Sequence, residues 1–201
     1  IIPTLDSELA NFARIEQELN KINVRLLIPN EEQLKMRQKT SLSEFCKQNG
    51  FDIPETVVIT DPSEIMRESV ALGFPLAVKG IFYESYTAYT IDEAIVYFYK
   101  IKNKWGIPVI LQKYVNGEEY DVVSLGDRKG KVKGAVCMRK LRITDKGKAW
   151  AGVTIMDEKL LGLAKEILEK LKWVGPIEME FVKDSSSHKY CLIEINPRFP
   201  S

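Results

Sequence analysis

The sequence predicts an α+β fold with two lobes, and three patterns along the chain support this prediction. Helices alternate with short β-branched strands between residues 41 and 112. Antiparallel strands and one amphipathic helix follow from residue 118 onward. The chain then closes with residues 175–198, where apolar and polar side chains alternate on both sides of a polar turn. Alternating runs predict strands, whereas apolar residues three and four apart predict helices.

The composition argues against several classes of partner. The 201 residues include 29 Lys and Arg and 28 Asp and Glu, so the net charge favours neither nucleic acid nor a membrane surface. No apolar run reaches the roughly 20 residues of a membrane-spanning helix, and the first residues lack the charged leader of a signal peptide. Three scattered cysteines predict reduced thiols and a cytoplasmic location. The single histidine, His188, falls in a polar turn, so a histidine base is not expected.

Residues 1–36 are predicted to form a small unit of their own. Asp6 or Ser7 caps a helix that carries apolar residues on one side. A short strand is predicted at residues 24–28, and a second helix begins at Glu31. These elements would not complete a sheet by themselves, so we expect them to be the last part of an α/β unit.

The first lobe is predicted to alternate helices and strands. Gly50 ends its first helix, because glycine readily adopts the left-handed conformation at a helix C-terminus. The residues before Lys79 are apolar throughout, which predicts a buried strand. The predicted elements are a helix at 41–49, a strand at 56–60, a helix at 63–72, a strand at 74–79, a hairpin at 80–89, a helix at 91–104 and a strand at 108–112.

The second lobe is predicted to be mainly antiparallel. Residues 115–117 form a turn signal between the lobes, because Asn and Gly both tolerate turn conformations. Later in this lobe, apolar residues at helical spacing predict an amphipathic helix. The predicted elements are strands at 118–125, 130–143 and 148–155, turns at 126–127 and 145–147, a helix at 157–172 and the closing pair of strands.

The closing pair of strands places oxygen-bearing side chains on one face. With the turn centred near Ser187, Glu180 lies opposite Glu194, and such cross-strand neighbours are about 5 Å apart. Glu194, Asn196 and Arg198 point the same way, because side chains alternate along a strand. Adjacent carboxylates repel each other unless a cation intervenes, and an all-oxygen set of ligands favours Mg²⁺. The alternative is a solvated strand face, which explains alternating glutamates in most proteins.

The motif Glu194-Ile195-Asn196-Pro197-Arg198, with Glu180 on the preceding strand, resembles the metal-binding end of the ATP-grasp superfamily. It is most similar to the branch of carbamoyl phosphate synthetase large subunits and biotin carboxylases. The resemblance implies an ATP-grasp domain at 37–201, with a first lobe at about 37–111, a second lobe at about 112–201 and a truncated C-terminal end. It also implies that 1–36 is the C-terminal part of the small α/β domain that precedes such domains.

The resemblance gives roles to residues at matching positions. Lys79 would bind ATP phosphates, unless it merely surfaces at a strand end, and Lys39 would do the same, with Arg37 as its alternative. The implied ATP-binding residues are Lys39, Lys79, Gln112, Lys113, Val115 and Glu119, of which the backbones of Lys113 and Val115 would meet adenine and Glu119 the ribose. The implied metal ligands are Glu180, Glu194 and Asn196, and the catalytic residues are Arg198 and Arg139. The implied cofactors are ATP and Mg²⁺, with Mn²⁺ as an alternative ion.

A basic stretch lies between the predicted strands of the second lobe. Arg139 alternates with Leu141, so we expect it to face the cleft, where cations stabilise the charge of a transferring phosphoryl group. By resemblance, residues 150–152 would shape the acceptor pocket. For Lys146 and Lys148 a solvated charge run is an equal alternative.

The hairpin at 80–89 departs from the family. Relatives carry a loop rich in glycine and serine that folds over the phosphates through backbone N–H groups. Here the stretch has one glycine and three tyrosines, with Ser85 and Thr87 as the candidate phosphate donors. Nor does the chain contain a GxxxxGK[ST] motif, so it is not a P-loop protein.

The resemblance implies an ATP- and Mg²⁺-dependent, ADP-forming carboxylate ligase, in which an acyl phosphate is captured by an amine or another nucleophile. One alternative is a synthetase that forms carbamoyl or carboxy phosphate. Another is a non-catalytic ATP-binding module, which the unusual hairpin favours. The expected partners are a small-molecule carboxylate and a nucleophile rather than nucleic acid or membrane, and a homodimer is one assembly that we consider.

Overall fold

The computed structural model describes residues 1–81, 84–144 and 149–198, apart from the side chains of residues 6, 7 and 40. The helices in these ranges are α1 (Asp6–Arg14), α2 (Glu16–Lys21), α3 (Glu31–Met36), α4 (Lys39–Asn49), α5 (Glu64–Leu72), α6 (Ile91–Trp105) and α7 (Glu158–Lys170). The strands are β1 (Thr56–Ile59), β2 (Leu76–Lys79), β3 (Ser85–Ala88), β4 (Val109–Lys113), β5 (Gly117–Gly126), β6 (Val132–Ile143), β7 (Ala149–Ile155), β8 (Gly175–Asp184) and β9 (Tyr190–Asn196).

The first sheet has the strand order β1-β4-β2-β3, and all neighbouring strands in it are antiparallel. Helices α5 and α6 cover one face, and α6 contributes the fully buried Phe98 and Ile101 to the core. Thr90 caps α6, because its side-chain oxygen accepts a hydrogen bond from the Glu93 N–H at 3.2 Å. Side chains of the opposite face, among them Lys79, are therefore left to line a cleft.

The second sheet has the order β7-β6-β5-β8-β9 and is also antiparallel. Helix α7 packs its apolar side on one face, where Leu160, Ala164 and Ile167 are fully buried with Phe181 of β8. Asp157 caps this helix by accepting a hydrogen bond from the Leu160 N–H at 2.9 Å. The face that α7 does not cover carries the charged residues of the cleft.

Helix α4, which was predicted to belong to the first lobe, packs against the second sheet instead. Its side chains Leu42 and Cys46 belong to the core of the second sheet, together with Phe51. The Leu192 N–H donates to the Asp52 carbonyl at 2.9 Å, which fixes this segment beside β9. The two sheets themselves divide between Lys113 and Gly117, near the predicted boundary.

The N-terminal prediction is partly wrong. The single helix expected after residue 6 is interrupted at Ile15, which separates α1 from α2. The strand predicted at 24–28 does not form, because this segment pairs with no neighbouring strand among the described residues. Instead Leu26 and Ile28 bury their side chains against Leu9 of α1 in a small separate core.

The other predicted helices and strands are confirmed within a few residues at each end. The turn predicted at 145–147 lies outside the described residues. Among the helices that the structure describes, none has the length and apolar character needed to span a membrane.

Candidate active site

An open cleft of about 1850 Å³ lies between the two sheets. The first sheet contributes Lys79 and Gln112 to its wall, and the second contributes the cleft faces of β5 to β9. Drug-sized ligand pockets measure roughly 300–1,000 Å³, so this cleft has room for more than one small molecule.

Three carboxylates form one row across the floor of the cleft. Asp121 on β5 lies directly opposite Glu180 on β8, and Glu180 lies directly opposite Glu194 on β9. The predicted pairing of Glu180 with Glu194 is therefore confirmed, although the register shifts at a bulge between Glu180 and Phe181. Glu178 lies one row away on the same face of β8, opposite Asn196, and also lines the cleft.

Lys140 of β6 lies among these carboxylates, and the sequence-based reasoning missed it. Its Nζ lies 2.8 Å from Glu180 Oε2, 3.2 Å from Asp121 Oδ1 and 3.3 Å from Glu119 Oε2. Its side chain is only 3% exposed. Burial alone would lower the pKa of Lys140, but the attraction of Glu180 and Asp121 outweighs burial and raises it above the usual value.

The carboxylates disfavour one another's charge. The pKa of Asp121 is raised to about 7, mainly by burial and also by Glu180 and Glu178, while Lys140 opposes the change. Burial also raises the pKa of Glu178, with Glu180 adding to the effect and Arg198 opposing it. More positive charge than Lys140 and Arg198 supply would therefore be favourable here.

Two lysines near the end of β2 face this acidic floor. Lys79 Nζ is buried and donates to Gln112 Oε1 at 2.7 Å. The pKa of Lys79 is lowered to about 8, mainly by burial and also by the nearby Lys39 ammonium, while Glu194 and Glu180 oppose the change. Burial also lowers the pKa of Lys39, whose Nζ donates to the Gly80 carbonyl at 3.5 Å. Two desolvated ammonium groups this close favour an anion between them.

The predicted metal ligands supply oxygen atoms suited to Mg²⁺, but they are not gathered around a common point. Asn196 turns its amide nitrogen towards Glu178 Oε2 and Glu180 Oε1, at 3.1 Å and 3.0 Å. Its ligating atom would have to be the carbonyl oxygen. Across the described part of the chain, no three Asp, Glu, His or Cys side chains form a ready metal site. The closely spaced, half-buried carboxylates of Glu180 and Glu194 nevertheless fit a hard dication.

The segment between the sheets carries the residues predicted to meet the nucleotide base. The Lys113 N–H already donates to the Glu55 carbonyl at 2.8 Å, so a contact of this backbone with adenine would have to use the Lys113 carbonyl. Gln112 is buried and positions Lys79, and its own amide donates to Thr56 Oγ1 at 3.0 Å. Val115 and Glu119 line the cleft, as expected.

Arg139 does not face the cleft, so that expectation is wrong. It lies opposite Tyr120, whose side chain is buried on the α7 side of the sheet, and pairs with Glu118 at 3.5 Å. Its neighbour Lys140 takes the cleft face. Cys137, two positions before Arg139, belongs to the core under α7. Because side chains alternate along a strand, Arg139 shares the core face with Cys137 and Lys140 takes the other face. Arg198 lies at the end of the cleft, with Nη1 4.0 Å from Glu178 Oε2.

The hairpin that departs from the family is described only in part, because residues 82 and 83 lie outside the described ranges. Ser85 and Thr87 both line the cleft on β3. Tyr86 instead stacks on Tyr97 of α6, with ring centroids 4.8 Å apart. Of the residues 150–152 predicted to shape an acceptor pocket, all three line the cleft.

A sequence model of the ATP-grasp domain matches residues 36–201, which include both sheets and the whole cleft floor. The chain belongs to the ATP-grasp family. This confirms the predicted superfamily and the α+β fold, whereas the assignment of residues 1–36 to a preceding domain stays a prediction. No curated protein matches the chain by sequence.

Several solved ATP-grasp proteins share this fold. The biotin carboxylase of Campylobacter jejuni, solved as a β,γ-ATP complex, is similar with a TM-score of 0.79 and 14% identity, over 100% of this chain and 49% of that one. The biotin carboxylase domain of Hydrogenobacter thermophilus 2-oxoglutarate carboxylase, solved with MgADP, has a TM-score of 0.76 and 15% identity, over 96% of this chain and 46% of that one.

A ligase also has a similar fold. The D-alanine–D-alanine ligase of Bacillus anthracis, complexed with ATP, has a TM-score of 0.70 and 18% identity, over 96% of this chain and 63% of that one. At these identities the likeness shows the fold and not the reaction. The ATP-grasp chain described here spans about half the length of the two biotin carboxylase chains.

Proposed function

We propose that this chain is the nucleotide-binding and catalytic part of an ATP- and Mg²⁺-dependent, ADP-forming carboxylate ligase. One observation carries the proposal: the half-buried Lys39 and the buried Lys79 face Glu180 and Glu194, and these two carboxylates are near enough to raise the pKa of each lysine against the lowering effect of burial. A magnesium nucleotide complements both, because its phosphates suit the lysines and its metal suits the carboxylates.

The cleft residues would have separate roles in binding the nucleotide and the metal ion. Lys39 and Lys79 would bind phosphate oxygens, while the backbones of Lys113 and Val115 would hold the base and Glu119 the ribose. Glu180, Glu194 and the carbonyl of Asn196 would hold Mg²⁺, which supplies positive charge beside the β- and γ-phosphates. The similar structures solved with MgADP and with ATP support this use of the cleft.

Lys140 and Arg198 would stabilise the charge that develops during transfer. An oxygen of the substrate carboxylate attacks the γ-phosphorus, and the bond to the β,γ-bridging oxygen breaks so that ADP leaves with the electron pair. The resulting acyl phosphate is attacked at its carbonyl carbon by an amine, which loses a proton as inorganic phosphate leaves. Lys140 would have to exchange its carboxylate partners for a phosphoryl oxygen, which its three rotatable donors allow. Positioning and charge suffice for this reaction, so no side-chain nucleophile is needed.

The test is release of ADP from ATP by the full-length protein, across a panel of carboxylic acids with and without amines. We expect release that requires both Mg²⁺ and one class of acid, with hydroxylamine trapping the acyl phosphate as a hydroxamate. Tight nucleotide binding without stimulation by any acid would contradict the ligase and favour the non-catalytic module.

A further inference from the structure

One half of the cleft floor is apolar. Val123 of β5 lies directly opposite Val136 of β6, and Met138 lies two residues further along the same face of β6. All three line the cleft. We define these residues as the apolar floor. Its position beside the carboxylates distinguishes it from the two buried cores, which lie on the other faces of the sheets.

The apolar floor is open to solvent. Val136 is 54% exposed, and Trp150 of β7, which also lines the cleft, is 79% exposed. A sheet face that only contacts water usually carries polar side chains, so exposed apolar side chains together on such a face indicate a binding surface. Gly152 of β7 leaves space for Met138, because a Cβ on this glycine would lie 2.5 Å from the Met138 sulfur.

The apolar floor continues directly into the charged half of the site. Val123 lies opposite Glu178 on its other side, and Met138 lies opposite Asp121. Neighbouring strands are about 5 Å apart, so the apolar floor begins one strand spacing from the carboxylates and extends away from β9. Lys140 of β6 lies at this boundary, because it follows Met138 on the same face and its Nζ contacts both Asp121 and Glu180.

We propose that the apolar floor binds the body of the carboxylate substrate, and that this substrate is a monocarboxylic acid with an aliphatic or aromatic body. This inference rests on the proposed function. With the nucleotide on Lys39 and Lys79, the acid group of such a substrate would lie near Lys140 and its body would lie across Val123 and Val136. An apolar body gains free energy when it leaves water there, whereas a second charged group would lose hydration without finding a partner.

The experiment measures binding of a matched series of acids to the full-length protein, saturated with Mg²⁺ and a non-hydrolysable ATP analogue. Isothermal titration would compare acetate, butanoate, hexanoate and 3-phenylpropanoate with dicarboxylates of equal length. We expect about fourfold tighter binding for each added methylene group until the floor is covered. The dicarboxylates should bind at least about tenfold more weakly than the monocarboxylates of equal length.

Two valine variants make a matched pair. Val136→Thr replaces a methyl group of the apolar floor with a hydroxyl. Val153→Thr makes the same change on β7, where Val153 lies opposite Arg139, faces away from the cleft and is 41% exposed. Both positions are exposed, so neither change should unfold the protein. We expect Val136→Thr to weaken hexanoate binding about fivefold and acetate binding very little. Val153→Thr should change neither.

The outcomes separate this inference from the proposed function. If the analogue binds but affinity does not rise with chain length, or if dicarboxylates bind better, the inference is wrong and the ligase proposal stands. If Val136→Thr weakens binding of the analogue alone, the apolar floor belongs to the nucleotide site and the inference is also wrong. If the Mg²⁺ analogue complex does not bind at all, both proposals fail.

Discussion

Lys140 Nζ lies 2.8 Å from Glu180 Oε2 and is almost completely buried, so a lysine ammonium links the strands that carry the acidic residues of this ATP-grasp cleft. The same nitrogen also contacts Asp121 and Glu119. A single ammonium group contacts three carboxylates, and burial of Asp121, with Glu180 and Glu178 nearby, raises the pKa of Asp121 to about 7 even against the opposing effect of Lys140. Lys140 thus stabilises the floor of the cleft, and Mg²⁺ would meet some of the same oxygens.

Replacement of this lysine tests that stabilising role. Lys140→Met leaves buried carboxylates without their cation, so the free energy of unfolding in chelator should fall by about 3–5 kcal/mol. Added Mg²⁺ should restore part of this loss, because it supplies the missing positive charge. Denaturant titrations with EDTA and with Mg²⁺ measure both effects. Lys133→Met, which removes an exposed lysine paired with Asp127, is the control and should change stability by less than about 1 kcal/mol. A Lys140→Met protein that is equally stable in EDTA and in Mg²⁺ would contradict the role of the metal.

Replacement of Glu194 tests whether turnover depends on a metal ion bound at this position. Glu194→Gln keeps the shape of the side chain but removes a charged ligand, so we expect acid-dependent ADP release to fall at least about hundredfold with the fold intact. Circular dichroism and the unfolding midpoint check the fold. Glu118→Gln is a suitable control, because Glu118 lies on β5 but faces away from the cleft and is mostly exposed. Loss of folding in Glu194→Gln would show that Glu194 is structural instead.

Lys79 should decide nucleotide affinity. Lys79→Met removes a charge-assisted hydrogen bond to phosphate, worth roughly 1.5–3 kcal/mol, so we expect the affinity for MgATP to fall about tenfold to hundredfold. Isothermal titration with an ATP analogue measures this change. Lys47→Met, on the exposed side of α4, should leave the affinity unchanged. Equal affinities of Lys79→Met and the wild type would remove Lys79 from the site.

The lowered pKa of Lys79 also predicts a dependence of stability on pH. Between about 8, its pKa in the folded protein, and 10.5, its ordinary value, the unfolded chain binds a proton that the folded protein does not. Stability therefore rises with pH in this window, by about 3 kcal/mol for this group alone. The three cysteines, whose pKa values burial raises, act in the opposite direction.

The comparison of two proteins isolates the contribution of Lys79. The wild type should gain about 3 kcal/mol relative to Lys79→Met between pH 8 and pH 10.5, because the cysteines contribute equally to both proteins. Chemical denaturation at several pH values in this range gives the difference. If the two proteins change in parallel, the ammonium of Lys79 is not destabilised by burial.

Local patterns in the sequence were sufficient to predict the closing strands. The alternation around a polar turn placed Glu180 opposite Glu194, and the structure has this pairing. The turn alone does not fix this register, because Phe181 pairs with Leu192 and a bulge between Glu180 and Phe181 shifts the register to the pairing of Glu180 with Glu194. Lys79 was also predicted from a local pattern, since an apolar strand that ends in a lysine must bring its ammonium to a polar partner.

Features that depend on distant parts of the chain were not predictable in this way. Alternation shows that Arg139 and Lys140 face opposite sides of β6, but only the packing of Tyr120 and Cys137 under α7 shows which side is the core. Helix α4 joins the core of the second sheet through contacts between residues far apart in sequence. Likewise, the apolar run at 24–28 forms no strand, because a strand requires a partner that local propensity does not reveal.

The most direct test of the central claim is the affinity for a non-hydrolysable ATP analogue, measured by isothermal titration with Mg²⁺ and with EDTA. The comparison uses the wild type and Glu180→Gln/Glu194→Gln. Because the carboxylates of the cleft floor would hold Mg²⁺ against the phosphates, we expect Mg²⁺ to tighten binding at least about tenfold in the wild type. It should have little effect in the double variant. Equal affinities of the wild type in Mg²⁺ and in EDTA would contradict the claim that this cleft binds a magnesium nucleotide.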